Sequence, residues 1–174
     1  MDSGRILQEA KRSATSASRF DVFLSHASKD AKLILGVKAL LEERGFVVYV
    51  DWVDDAHADR SQVDRETADL LRQRMRQSAS LIWVATDATS NSKWMPWELG
   101  YFDGFAPGQV ATIPLVDNPG ESFKGQEYLS LYPLIGQDHY IGGRKDVFVE
   151  DRSRRWATLD SFAKGTTRWS RYSN

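Results

Sequence analysis

Leu81-Ile82-Trp83-Val84-Ala85, a loop from Thr86 to Lys93, and then Trp94-Met95-Pro96-Trp97-Glu98-Leu99-Gly100-Tyr101 form the stretch that decides the fold. The first run is short and continuously apolar, the pattern of a strand buried on both faces. The loop is rich in Thr, Ser and Asn. The last run predicts a helix from about Trp94 to Phe105. Pro96 is tolerated only in its first turn, and Pro107-Gly108 ends it. Trp94 and Glu98 are four apart and share a helix face. One carboxylate therefore stands among aromatic rings just after a strand.

The same grammar runs outward. Phe20-Asp21-Val22-Phe23-Leu24-Ser25 reads as a first buried strand and stops at Ser25-His26-Ala27-Ser28. Ser28 is placed as N-cap, with Asp30 in the first turn. The helix that follows puts Leu33, Val37, Leu40, Leu41 and Arg44 on one side, and Gly45 suits its C′ position. Phe46-Val47-Val48-Tyr49-Val50 is a second strand, closed by Asp51. Asp51 to Val63 reads as a long polar loop holding Trp52 and His57. Asp64 to Gln77 predicts a helix with Thr67, Leu70, Leu71 and Met75 inward. Val110 to Val116 is a fourth strand, where Pro114 implies an edge position or an early end. Beyond residue 117 the pattern weakens. Asp117 to Gln126 reads as loop, and Glu127 to Ile135 as a short helix or turn. The fifth strand is either Tyr140-Ile141 or Val147-Phe148-Val149. Arg152 to Ala163 predicts a terminal helix with Trp156, Leu159 and Ala163 on one side.

Strands alternating with helices imply an α/β fold with a mostly parallel, five-stranded sheet covered on both faces. Residues 19–165 form the domain, 1–18 an arm or linker, and 166–174 a tail. Ligands of such sheets bind beyond the carboxyl ends of the strands. Those ends are Ser25–Ser28, Asp51–Val63 and Thr86–Glu98.

Composition narrows the function. The 174 residues carry 23 basic and 24 acidic side chains, a net charge of −1. No basic excess points to nucleic acid or an anionic membrane. There is no cysteine, which excludes thiol nucleophiles, disulfides and thiolate metal sites. No apolar run approaches the roughly 18 residues that span a bilayer, and the polar N-terminus lacks a signal-peptide core, so a cytoplasmic location is expected. Gly-x-Gly-x-x-Gly and P-loop motifs are absent, and so is the acidic pattern of a phospho-receiver. His26, His57 and His139 lack metal-ligand spacing, so no metal is expected.

The Phe20 to His26 strand end, the Gly45 to Asp51 strand and the Trp94-x-x-x-Glu98 helix start, in this order and spacing, resemble a Toll/interleukin-1 receptor (TIR) domain of bacterial type. The resemblance covers about residues 19 to 116. It implies a flavodoxin-like three-layer sandwich. Enzymatic members cleave NAD⁺ between nicotinamide and ribose, releasing ADP-ribose or cyclic isomers that act as signals. Their essential Glu matches Glu98. No further cofactor is implied, since NAD⁺ is the substrate. Stand-alone bacterial members imply antiphage defence, self-association through TIR–TIR contacts in which the 51–63 loop is the usual contact, and a separate effector protein that senses the nucleotide.

The chemistry suits a single carboxylate. Nicotinamide leaves neutral and needs no general acid, unlike the leaving oxygen of an ordinary glycoside. What remains is positive charge growing on the ribose, which a fixed carboxylate stabilises by roughly 3–4 kcal/mol when water is excluded. Aromatic neighbours can stack on the pyridinium. Glu98 is the catalytic candidate; Ser25, His26, Asp51, Trp52 and Trp94 are the candidate substrate-binding residues. The structural alternatives are Glu98 as a helix-start acid, Trp94 as core, Ser25 and His26 as a strand end and Asp51 as a loop cap; Trp52, in a loop with flanking acids, is less easily explained as core and suits stacking or self-association. Trp97 reads as core, Gly100 and Gly104 as sites of close helix-to-sheet packing, Asp103 as solvated or paired, and Arg152, Arg154 and Arg155 as a solvated helix face. Two rivals stay open: a nucleoside deoxyribosyltransferase-like N-glycosidase and a non-enzymatic adaptor.

Overall fold

The computed structural model describes residues 19–56, 61, 63–115, 127–139 and 145–172. The expectations for the N-terminal arm, His57, the 117–126 loop and Tyr140-Ile141 lie outside these residues. In chain order the elements are β1 (Phe20–Ser25), α1 (Ala31–Glu43), β2 (Val48–Tyr49), α2 (Asp51–Asp54), α3 (Arg65–Arg76), β3 (Ser78–Ala85), α4 (Trp94–Phe105) and β4 (Val110–Pro114). They continue with β5 (Leu134–His139), β6 (Lys145–Glu150), β7 (Arg155–Thr158), α5 (Leu159–Ala163) and β8 (Ser170–Arg171).

The sheet order is β2-β1-β3-β4-β5-β6-β7-β8. The first five strands are mutually parallel, which is the expected parallel sheet. Three antiparallel strands, β6 to β8, extend it. The fifth strand is β5, Leu134–His139, and the expected Val147–Val149 segment lies in β6. Gly136-Gln137-Asp138 carries no apolar pattern, so β5 is defined by pairing to its neighbours and not by its own composition. β4 stops at Pro114, where Pro removes a donor. Among the described residues no helix is long and apolar enough to cross a membrane.

Each face of the sheet has its own core. Val22, Leu24, Val48, Ile82, Val84 and Ala111 pack under α1 and α5. Phe23, Tyr49, Leu81, Trp83 and Val110 pack under α3 and α4. The alternation along β1 sends Ser25 to the second face, with Phe23.

Helix α1 turns a different side inward from the one its leucines suggest. Ile34, Lys38 and Leu41 are buried, while Leu33 is 45% and Leu40 63% exposed. Lys38 is 1% exposed. Its ammonium donates to Val48 O and pairs with Glu42 at 2.9 Å. The strongly polar side chain can occupy a core-facing position because its donors are met. The helix begins at Ala31, after a 3-10 turn from Ser28 to Asp30, and Ser28 does not cap it. Gly45 has φ +88° and closes the helix in the left-handed conformation. Asp64 caps α3 through a 2.8 Å bond from Thr67 N, and Thr67, Leu71 and Met75 are buried.

Two further expectations are corrected. The terminal helix starts at Leu159, not Arg152. Asp151 Oδ1 accepts from the backbone N–H of Ser153 (2.9 Å) and Arg155 (3.0 Å), and Arg154 has φ +56°. This side-chain-held turn outcompetes a helix, so the three arginines form no helix face. Gly100 and Gly104 are exposed, and a Cβ at either would meet nothing within 4 Å. They do not mediate close packing.

The α1 correction predicts an asymmetric response in urea unfolding. Ile34→Ala and Leu41→Ala should each cost about 2–5 kcal/mol. Leu33→Ala and Leu40→Ala should stay within about 1 kcal/mol.

Candidate active site

The parallel register brings the carboxyl ends of β1, β2 and β3 side by side. Ser25 lies opposite Trp83, and Trp83 opposite Thr112. Phe23 lies opposite Tyr49, so Ser25 and Asp51, each two residues further on, end neighbouring strands. Above them α4 docks with Trp94, Met95, Glu98, Leu99 and Phe102 buried. Its first turn is supported by Ser92, whose Oγ accepts from Met95 N at 3.3 Å.

Docking the apolar face of α4 carries Glu98 inward with it. Its carboxylate has no exposed surface. Oε2 accepts from Ser25 Oγ at 2.5 Å, and Ser25 is equally buried. A charge-assisted bond of this kind is the compensation a buried carboxylate requires.

His26 is next in sequence and 1% exposed. Its Nδ1 donates to Leu24 O at 2.9 Å, and its Nε2 accepts from Trp52 Nε1 at 3.0 Å. The two bonds define one tautomer, with the proton on Nδ1. Asp51 Oδ1 lies 3.4 Å from Nε2. Trp52, expected in a loop, is in α2, half-buried and packed on the core beneath α1.

The segment carrying Asp51 and Trp52 is tied down from both sides. Asp54 Oδ2 accepts from Val50 N at 2.6 Å. Asp55 accepts from Tyr49 Oη (2.9 Å) and bidentately from Arg74 Nε (2.7 Å) and Nη2 (2.8 Å). Burial, reinforced by Asp55 and Asp51, pushes the Tyr49 phenol far above its usual range, so it stays a donor. On the opposite rim, Thr86 donates to Asp30 Oδ2 at 2.5 Å and forms a capping box with Thr89. This clasps the loop after β1 to the loop after β3.

The aromatic residues divide. Trp94 is 4% exposed and meets Trp97 edge-on, with centroids 5.4 Å apart. Trp97 and Tyr101 stack on each other and lie under the guanidinium of Arg72, at 5.2 and 5.9 Å. They join α4 to α3, and Tyr132 Oη donates to Asp103 at 3.1 Å. Ser25, His26, Asp51, Trp52 and Glu98 are thus brought together, and Trp94 lies in the core beneath α3 and α4.

Sequence reading did not single out Trp83, Asp55, Arg74 or the Asp30–Thr86 clasp. The indole N–H of Trp83 is buried with no hydrogen-bond partner among the described residues, and its ring faces the same layer as Ser25. The register that reveals this is not visible in one strand's composition. Among the described residues no group of His, Cys, Asp and Glu could hold a metal ion.

Comparison with known proteins now bears on this arrangement. The family model of the TIR domain matches residues 22–146. The chain belongs to the TIR-domain family. It is 39% identical over 153 residues to "Probable 3' cyclic ADP-D-ribose synthase ThsB'" of Bacillus cereus (strain MSX-D12), covering 87% of this chain and 79% of that protein. It is 32% identical over 83 residues to "Putative cyclic ADP-D-ribose synthase TIR2" of Cytobacillus dafuensis, covering 47% of this chain and 22% of that one.

Arg74→Ala should cost about 3 kcal/mol, because it removes the bidentate guanidinium from the buried Asp55 carboxylate. Denaturant unfolding checks this. Half-buried Arg72→Ala, which loses a solvated Asp69 partner and the ring contacts with Trp97 and Tyr101, should cost about 1 kcal/mol.

Proposed function

We propose that this TIR domain cleaves the nicotinamide–ribose bond of NAD⁺ and forms a cyclic ADP-ribose-type nucleotide. The observation that carries this reading is the buried Ser25–Glu98 bond, at the strand ends where such sheets bind ligands. The names of both relatives support it.

The C1′–N bond breaks with its electron pair leaving on nicotinamide, which departs neutral. Glu98 faces the cationic ribose left behind. A carboxylate in a water-poor site stabilises that charge strongly, and its dipolar surroundings are already in place before reaction. Ser25 holds it in one orientation. A nucleophile of the ADP part then attacks C1′ and loses its proton, closing the ring. Attack by water instead yields linear ADP-ribose and one proton. His26, Asp51 and Trp52 form the wall over the ribose, and the open N–H of Trp83 is a donor for a substrate oxygen.

Glu98 has no exposed surface, so substrate must part the loops above it. Self-association through TIR–TIR contacts at the 51–63 segment is the proposed trigger. A cytoplasmic role in antiphage signalling, with a separate effector protein sensing the product, completes the reading. It rests on the resemblance to stand-alone bacterial TIR proteins.

Purified protein incubated with NAD⁺, with and without a crowding agent or phage-infected lysate, should release nicotinamide with a cyclic nucleotide, both identified by mass spectrometry. Glu98→Ala and Glu98→Gln should lower that rate by about 10²–10³. Ser25→Ala should lower it about tenfold, by loss of one charge-assisted bond. Cleavage of free nucleosides but not NAD⁺ would replace this reading with a nucleoside N-glycosidase. Silence on both would leave an adaptor.

A further inference from the structure

The outer edge of β2 is an end of the sheet, and its backbone groups should be open to water. Val47 O accepts from Asp21 N and Val22 N, so residue 47 faces β1. Residues 48 and 50 therefore face outward. Their groups are nevertheless engaged by side chains. Lys38 donates to Val48 O, and Asp54 Oδ2 accepts from Val50 N at 2.6 Å. A cation from α1 and an anion from α2 thus stand where a further strand would pair. Lys38 also pairs with Glu42 at 2.9 Å.

This edge cap is continuous with the site. Val50 is the N-cap of α2, and Val53 N and Asp54 N both bond to its carbonyl. Asp54 closes the single turn that contains Asp51 and Trp52. The bond from Asp54 to Val50 therefore sets the roll of a four-residue helix too short to hold itself. That roll aims the Trp52 indole at His26 Nε2.

We infer that Lys38 and Asp54 are positioning residues that act through the α2 turn to hold Trp52 against His26 and so define the wall of the active site. The site-wall role rests on the proposed NAD⁺ chemistry; the positioning of Trp52 does not. The groups facing Asp54 are Lys38 and Glu42 from α1, Arg74 from α3 and Asp55 on its own segment. Burial outweighs the Lys38 charge and the Val50 bond, and pushes the Asp54 carboxyl up to about 6. The native state then binds this proton more tightly than the unfolded chain. Asp54's contribution to stability grows as pH falls through 6 toward the ordinary carboxylate range, and is lost as pH rises. The ionised form is retained at neutral pH against that gradient. Positioning predicts the opposite trend for activity, which falls as Asp54 takes its proton.

The test reads the indole N–H resonance of Trp52 by NMR, assigned with Trp52→Phe, alongside the pH profile of nicotinamide release. In the wild type the resonance should shift on lowering pH through about 6, and kcat/KM should fall with it. Asp54→Asn keeps the shape and an acceptor oxygen. It should displace the resonance at all pH values, abolish that transition and lower kcat/KM about tenfold at pH 7.5. Lys38→Met removes the charge that opposes protonation of Asp54, so the transition should move to higher pH. A transition unchanged in Asp54→Asn would belong to another group and overturn the inference. So would an undisplaced resonance in that variant. A displaced resonance in a protein inactive on NAD⁺ would support the positioning and overturn the proposed chemistry.

Discussion

Removing the Glu98 carboxylate from water costs several kcal/mol unless donors meet it, and that requirement organises the carboxyl end of the sheet. Ser25 supplies the donor only because β1 delivers its side chain to the face on which α4 lies. α4 lies there because Trp94, Met95, Leu99 and Phe102 form an apolar stripe beside Glu98. The hydrophobic packing of one helix thus buries an ionisable group that it could not bury alone. If the register of β1 against β3 slipped by one residue, Ser25 would face the other layer. The carboxylate would then lose the Ser25 hydroxyl. Fold and site share one constraint.

The legible part of the sequence was the part where composition and structure agree. Continuous apolar runs marked β1, β3 and β4, since strands buried on both faces need no alternation. Pro96 and Pro107 bounded α4 within a residue or two. The three strand ends that meet at Glu98 were identifiable because parallel topology forces successive strands to end on one side. The buried side of α1 was misread because Lys38 looks polar while Leu33 and Leu40 look apolar. Pattern reading assumes that a lysine avoids the core, and Val48 O with Glu42 suspends that assumption. The antiparallel extension was invisible for another reason. Asp151 makes its turn through side-chain bonds to backbone N–H groups, while the Arg152–Ala163 composition suits a helix.

The site residues show the same division. Glu98 and Trp94 lie on one helix, so their spacing could be read directly. Ser25, Trp83 and Asp51 meet through strand register, which depends on partners far away in sequence. Arg74 reaches Asp55 from α3. Nothing near either residue announces the pair. Trp52 was expected in a loop, where an indole needs a ligand or a partner chain to explain it. In α2 it has His26 and the core. A single helical turn of Asp-Trp-Val-Asp has weak intrinsic stability and exists because Asp54, Asp55 and their buried partners hold both its ends.

That dependence links the edge of the sheet to its centre. An exposed strand edge is a pairing hazard, and charged side chains turned onto it are a common defence. Here the defence also shapes the site, since the carboxylate that blocks Val50 N closes the turn bearing Trp52. A neutral cap would protect the edge with no ionised group to bury. Retaining Asp54 with a carboxyl pushed up to about 6 lowers stability at neutral pH. Local violations of the rules of stability are expected where function requires them. Lys38 and Asp54 lie at the sheet's outer strand, yet through one backbone N–H and one indole Asp54 reaches the residue next to Ser25.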